Sequence, residues 1–507
     1  MAKISVENLT FSYEGYYDNI FENVSFSIDS SWKLGFVARN GRGKTTFLKL
    51  LMGKYEYTGN IVSSQTFQYF PVDVPEGRQH ENVVDIMDEK FPNVEFWRVC
   101  RELNLLEMDA ELLYRPYNTL SYGERTRVML AYLFAGEHHF LLLDEPTNHL
   151  DVVCRDKVKE YLAQKTGFIL VSHDREVLDA CIDHVLAINK TNIEVVKGNF
   201  SSWYENKEKQ DQFERERNET LKKDIGRLTM AARQASAWAD KVESTKIGYD
   251  AKKDSHRCAD TRAYIAEQSR RMQQRRKNLE GRIEKELEEK RGLLQNIEEA
   301  VDLKLFPERF YKQYIFMARD LVIGYSNNIL GKPLTFDIER GDRIAITGGN
   351  GSGKSTLIKI LLGDLEPVSG QLTKSQGVRI SYVAQSASLM KGTLDEYARE
   401  KGIDYTTFLA VLRQLDFGRE QFEKRMEEYS EGQKKKVELA RSLCEKAHLY
   451  IWDEPLNYID VFSRIQLENM LKQFQPTMIF VEHDKTFVSK IATKKIELHS
   501  TFRRLKN

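Results

Sequence analysis

No run in this chain approaches the roughly 18 consecutive apolar residues of a membrane-spanning helix, so it does not read as a channel or as the pore of a transporter. Cysteine is also scarce. The five (Cys100, Cys154, Cys181, Cys258 and Cys444) are scattered without a CxxC pair, which excludes a disulfide framework and a zinc site by spacing and suits reduced thiols in a cytosolic protein. Net charge is missing as well: Lys+Arg and Asp+Glu each number 76, so any affinity for nucleic acid must reside in a local patch. The opening MAKISVENLTFSY enters strand-like alternation at once and leaves no room for a cleaved leader, so a cytoplasmic protein is expected.

What is present is repetition. At 507 residues the chain exceeds one core and suits two or three domains. ARNGRGKTT at 38–46 returns as GGNGSGKST at 348–356, and LLLDEPTNHLD at 141–151 returns as YIWDEPLNYID at 450–460. VSHD ends at Asp174 and VEHD at Asp484. These three landmarks, together with Ser121 and Ser430, keep the same order at an offset of about 310 positions and predict two homologous α/β domains at 1–204 and 312–507.

Between them, from about Glu205 to Ala300, there is no proline and the composition is dense in Lys, Arg, Glu and Gln. Leu221, Ile225, Leu228, Ala232, Ala235, Ala239 and Val242 recur at spacings of three and four; Ile265, Met272, Leu279, Ile283 and Leu287 follow after a break around Gly248 to Asp260. A narrow apolar seam on each of two helices predicts an antiparallel hairpin linker over 205–311 with its tip near 245–262. Residues 251–280 hold nine Lys/Arg against four Asp/Glu. That surplus suits either a solvated helix face or an arm that contacts phosphates.

GGNGSGKST fits the P-loop pattern GxxxxGK[ST], with RIAIT before it and LIKILLG after it as the strand and helix that pattern needs. Backbone N–H groups from Gly351 to Lys354 would cradle phosphate oxygens at a helix N-terminus. Lys354 would reach the β- and γ-phosphates and Ser355 the Mg²⁺. Gly348, Asn350, Ser352, Gly353 and Thr356 complete the candidate ATP-binding set. In the first copy Ala38 replaces the first glycine, which is tolerable if the backbone keeps negative φ there. Asn40, Gly41, Arg42, Gly43, Lys44, Thr45 and Thr46 keep the binding chemistry. LLLDEP and YIWDEP read as apolar strands ending in paired carboxylates. Asp144 and Asp453, with Thr45 and Ser355, would hold Mg²⁺, while Glu145 and Glu454 would polarise the attacking water. His173 and His483, each at a strand end, are candidate γ-phosphate sensors.

LSYGERTR at 120–127 and YSEGQKKK at 429–436 resemble the LSGGQ signature of ATP-binding cassettes, and that resemblance takes in both domains. It implies head-to-tail closure around two ATP molecules, with Lys44 facing Ser430 and Lys354 facing Ser121. Gly123, Glu124, Gly432 and Gln433 complete the two signatures. Tyr13 in FSYEG and Tyr325 in IGYSN match the aromatic that stacks on adenine; Gln385 in YVAQS matches the glutamine that contacts Mg²⁺ and the attacking water. The sequence departs from the pattern at Tyr122 and Glu431. In FQYFPVDV it places Val72 at or near the glutamine position. An apolar Val72 cannot orient water, so the Lys44 site is expected to hydrolyse more slowly.

Three classes of task compete. A transporter's ATPase subunit usually has about 100 residues between P-loop and signature; here about 77 leave a small helical subdomain. DNA-repair and chromosome ATPases carry zinc modules or very long coiled coils. The tandem cassettes, the linker of about 100 residues and the absence of a span resemble the ABC-F proteins, which work on ribosomes. WKLGFVARNGRGKTTFLKLL and LYIWDEPLNYID look most like the antibiotic-resistance branch of Lsa, Vga and Vml type. The resemblance implies a monomer whose ATP-closed form binds the E site of the 70S ribosome. Its hairpin would pass P-site tRNA toward the peptidyl-transferase centre of 23S rRNA and dislodge pleuromutilin, lincosamide or streptogramin A drugs, with hydrolysis as the reset. Lys246, Tyr249, Lys252, Lys253, His256, Arg257 and Tyr264 at the tip are candidate tRNA or rRNA contacts. A housekeeping factor for stalled ribosomes would use the same chemistry.

Overall fold

A computed structural model of the chain describes residues 3–13, 19–39, 41–137, 139–148, 150–188, 193–244, 270, 271, 274, 277, 282, 285, 303–325, 328–349, 351–385, 390–498 and 502–504. Asn40, Asn350, the tip candidates Lys246, Tyr249, Lys252, Lys253, His256, Arg257 and Tyr264, and the seam positions from Ile265 to Leu287 lie outside the described residues.

The short apolar runs become strands buried on both faces, the signature of a parallel sheet covered by helices. In the first half the order is Thr66–Phe70, His139–Asp144, Phe168–Val171, Lys33–Val37, His184–Ile188 and Ile193–Lys197. All neighbours are parallel except the last pair. In the second half the order is Ile380–Val383, Leu449–Asp453, Met478–Val481, Arg343–Gly348 and Lys494–Leu498, parallel throughout. Each half adds a three-stranded antiparallel sheet, centred on Lys3–Phe11 in one and Tyr314–Val322 in the other. The helix after each P-loop, Lys44–Leu51 or Lys354–Leu362, is sandwiched between these layers; Phe47, Leu48, Leu357 and Ile358 are fully buried there. This α/β architecture in two copies is the one the repeats predict.

The chain divides into two compact units, Met1–Trp203 with Ala300–Asn507, and Tyr204–Glu299. The linker expectation ended at 311, and the structure corrects it. Leu303, Leu305 and Phe310 are buried in the cores of the second cassette, and Phe306–Pro307 pairs in parallel with Lys446–Ala447. Burial of this apolar LKLF segment makes it part of the second α/β half. Within the linker, the helix Phe200–Ser244 runs for 45 residues, about 67 Å at 1.5 Å per residue. Leu221, Ile225 and Leu228 are half-buried along it while Lys222 and Lys223 are exposed, in keeping with a narrow seam.

Candidate ATP sites

Each P-loop turns from a central strand into a helix whose N-terminus carries no side-chain cap, leaving its N–H groups open for an anion. Gly41, Gly43, Gly351 and Gly353 take φ of 80°, 85°, 76° and 97° to make that turn. The loops differ at their first residue. Gly348 has φ 153°, and a Cβ there would come within 2.5 Å of the Leu498 carbonyl oxygen. Ala38 is not among the residues with positive φ, which is why alanine fits. Lys44 Nζ donates to the Ala38 oxygen at 2.7 Å, and Lys354 Nζ to the Gly348 and Gly349 oxygens at 2.9 and 3.0 Å. Burial lowers both ammonium pKa values. Tyr13 and Tyr325 stand beside the loops, their hydroxyls 2.8 Å from Thr46 Oγ1 and 3.3 Å from Thr356 Oγ1. Arg42 and Ser352 occupy corresponding places in the two loops, and the Ser352 hydroxyl is buried.

The DE pairs stand across from the P-loops. Thr45 Oγ1 donates to Asp144 Oδ2 at 3.1 Å, and Ser355 Oγ to Asp453 Oδ2 at 3.3 Å. Asp453 Oδ1 is buried without a hydrogen-bond partner among the described residues. A hydroxyl, a carboxylate and an orphaned acceptor are hard oxygen donors that fit Mg²⁺. Thr45 with Asp144, and Ser355 with Asp453, would hold that ion, whose chemistry there would be to offset phosphate charge.

The two glutamates are equally shielded, at 15% side-chain exposure each, but their partners differ. Burial would raise Glu454, yet the His483 ring at 3.6 Å, Gln385 Nε2 at 3.0 Å and Asn457 Nδ2 at 2.7 Å outweigh it and hold the carboxyl at about 2. Glu145 is pushed up to about 8 by burial and then by the adjacent Asp144. Its Oε2 accepts the backbone N–H of His173 at 3.3 Å, and the His173 ring lies 3.3 Å from Oε1. Burial, then Lys44, drives that ring well below its usual pKa, so it stays neutral. Burial and Glu454 raise Asp453 to about 6.

The strand register locates Val72. Phe70 pairs with Leu143 just before Asp144, and Val383 pairs with Trp452 just before Asp453. Two residues on from each strand end stand Val72 and Gln385, so the positions correspond. On the same strand the Tyr69 hydroxyl donates to Asp144 Oδ2 at 2.8 Å. Sequence reasoning missed Tyr69, and the FQYF strand beside the expected glutamine was the signal available. Asn457 was missed too, although it stands three residues after Glu454 in the repeated DEP segment.

Ser121 and Ser430 are the N-caps of Tyr122–Ala135 and Glu431–Cys444, in capping boxes with Glu124 and Gln433. Gly123 and Gly432 let each helix approach the segment that follows its own DE pair: an added Cβ would meet Cys154 Sγ, in the helix Val152–Ala163, at 3.1 Å or Tyr458 Cβ at 3.0 Å. The cassettes also touch one another. Arg39 of the first P-loop pairs with Asp416 of the second cassette at 3.4 Å. Arg155 Nη1 donates to the His483 carbonyl oxygen at 3.2 Å, Lys485 pairs with Asp156 at 2.7 Å, and Arg175 pairs with Glu468.

A family model described as ABC transporter matches residues 21–148 and 331–457, half of the chain, and takes in both P-loops and both DE pairs. The chain belongs to the ABC transporter family. It is an ATPase with two ATP-binding domains, as the motifs predicted. This ABC protein is 27% identical to the ribosome protection protein VmlR of Bacillus subtilis over 96% of its own length and 85% of that relative's. It is 28% identical to the probable ATP-binding protein YbiT of Escherichia coli O157:H7, covering 94% and 93%. To ABC transporter F family member 2 of Arabidopsis thaliana it is 25% identical, covering 98% and 76%. These relatives bear out the resemblance to ABC-F proteins. The archaeal ribosome recycling factor aABCE1, solved with a ribosomal stalk protein, shares the fold at a TM-score of 0.60 and 19% identity, covering 94% of this chain and 84% of that one. Among the described residues no helix is long and apolar enough to cross a membrane.

Proposed function

We propose that this ABC protein protects the large ribosomal subunit from drugs that bind the peptidyl-transferase centre. The observation that carries the reading is similarity to a ribosome protection protein along 96% of the chain, linker included. In this reading the cassettes close on two ATP molecules, Lys44 with Ser430 and Lys354 with Ser121, and the closed form occupies the E site. The linker tip, from Lys246 to Tyr264, displaces P-site tRNA and the drug. Hydrolysis then reopens the cassettes.

Hydrolysis is unequal between the sites. Glu454 is oriented by Gln385 at 3.0 Å, Asn457 at 2.7 Å and the His483 ring at 3.6 Å to polarise the attacking water. Glu145 has Val72 where Glu454 has Gln385 and lacks that orienting donor. The first site therefore favours ATP occupancy and the second supplies the reset. Identity to YbiT, named only as a probable ATP-binding protein, is as high as to the ribosome protection protein, so the second reading is a housekeeping factor that acts on stalled ribosomes through the same cycle.

Growth of a sensitive host expressing the protein, measured against a pleuromutilin and a lincosamide, separates the two readings. Protection predicts raised tolerance that vanishes in the Glu145→Gln, Glu454→Gln double variant. Unchanged tolerance with protein present on the ribosomes would leave the housekeeping reading.

A further inference from the structure

Two adjacent lysines on one helix reach toward different ATP sites. The helix Glu431–Cys444 begins at the signature serine Ser430. Lys436 Nζ donates to the carbonyl oxygen of Asp416 at 3.4 Å, and the Asp416 carboxylate pairs with Arg39 in the first P-loop at 3.4 Å. Lys435 lies about 100° further round the same helix. Its Nζ donates to the carbonyl oxygens of Ala384 at 2.6 Å, Gln385 at 3.4 Å and Asp453 at 2.7 Å. These carbonyls belong to the loop and the strand end that form the second site.

Lys435 is 2% exposed. Burying an ammonium is costly unless its donors are all used, and here three donors meet three carbonyls. In the first cassette the corresponding residue of Tyr122–Ala135 is Thr126, too short to span the same gap. The next residue, Arg127, donates to the carbonyls of Gly123 and Leu106 in its own cassette. Among the described residues the tie is therefore built into the second cassette alone.

We propose that Lys435 is a positioning residue through which ATP at the first site sets the hydrolysis rate at the second. The inference rests on the reading of Ser430, Gln385 and Glu454 given above. ATP at the first site draws Ser430, and with it the helix, toward the P-loop. Lys435 then moves the backbone of Gln385 and Asp453 into the hydrolytic arrangement. Among the described residues no such tie runs from Ser121 back to the first site, so the effect on turnover is one-way. Reciprocity binds the two ATP affinities, not the rates.

The test is single-turnover hydrolysis by the full chain in two backgrounds, Glu145→Gln to read the second site and Glu454→Gln to read the first. Lys435→Met keeps the side-chain volume and removes the donors. It should slow the second site about tenfold, as expected for lost hydrogen bonds from a charged group, with the KM for ATP and the first site unchanged. Ser430→Ala should also slow the second site in the Glu145→Gln background, and have no further effect once Lys435→Met is present. Equal slowing at both sites, no slowing at the second, or a Ser430→Ala effect that persists beside Lys435→Met overturns the proposal. Thermal unfolding is followed on the same proteins. If Lys435→Met unfolds, Lys435→Gln, which keeps a polar donor, serves the same comparison. A Glu145→Gln parent without turnover would instead remove Glu454 as the second-site glutamate, and the relay with it.

Discussion

Replacing Gln385 with valine gives the second site the residue that the first already carries at Val72. In the structure Gln385 Nε2 donates to Glu454 Oε1 at 3.0 Å, a bond to a carboxylate held at about 2. A hydrogen bond to a charged group contributes ~1.5–3 kcal/mol. At 1.36 kcal/mol per tenfold, losing it from the hydrolytic arrangement slows turnover between about ten- and one-hundredfold. Rapid-quench single turnover with labelled ATP in the Glu145→Gln background reads this directly. The same substitution in the Glu454→Gln background leaves the first site unchanged, because the Gln385 side chain bonds Glu454 of the second site. Slowing of less than threefold at the second site, or equal slowing at both, would refute the reasoning that partners rather than burial separate the glutamates.

Asp416 titrates at about 6 because of burial and then Asp460, above the ordinary aspartate value. Its ionised form is disfavoured by folding, so the stability is fully present below the unfolded pKa and lost as pH rises through 6. The gap is ~3 kcal/mol at most, and less because the side chain is 17% exposed. Asp416→Asn should therefore raise the Tm at pH 8, with the gain shrinking toward pH 4.5; a Tm at pH 8 that is unchanged or lower contradicts this. Glu102 is 1% exposed and is held by Lys165, by Tyr161 at 2.7 Å and by Arg101 at 3.1 Å. Lys165→Met strands that carboxylate, and the first cassette should lose ~3 kcal/mol, read as a lower denaturant midpoint. An unchanged midpoint would show that Tyr161 and Arg101 suffice. Replacing residues 246–257 by a short Gly/Ser turn should abolish lincosamide tolerance and spare ATP turnover. Tolerance that survives refutes the protection reading and leaves the ATPase standing.

Much of this was legible because the ATP motifs carry local chemistry. A P-loop needs glycines with left-handed backbone, an apolar strand before and a helix after, and all of these are adjacent in sequence. The substitution of Ala38 for Gly348's counterpart was readable with its condition, negative φ, and the structure meets it. Val72 was placed near the glutamine position by spacing, and pairing of the neighbouring strand then fixed it. What sequence could not show depends on partners hundreds of residues apart. Arg39 and Asp416 meet only when the two cassettes pack, and the KKK run after Ser430 reads as surface charge until Lys435 is seen at 2% exposure. The linker boundary was drawn too late because Leu303, Leu305 and Phe310 are too short a run to have a period of their own. Only burial in the second cassette distinguishes them from a hairpin's end.

The central claim is that ATP-closed cassettes are the ribosome-binding state and that hydrolysis releases it. Sedimentation of the Glu145→Gln, Glu454→Gln double variant with purified ribosomes through a sucrose cushion tests it most directly. The account predicts that the variant pellets with ribosomes in ATP and stays in the supernatant in ADP. A double variant that stays in the supernatant in ATP, or pellets equally with either nucleotide, would contradict it.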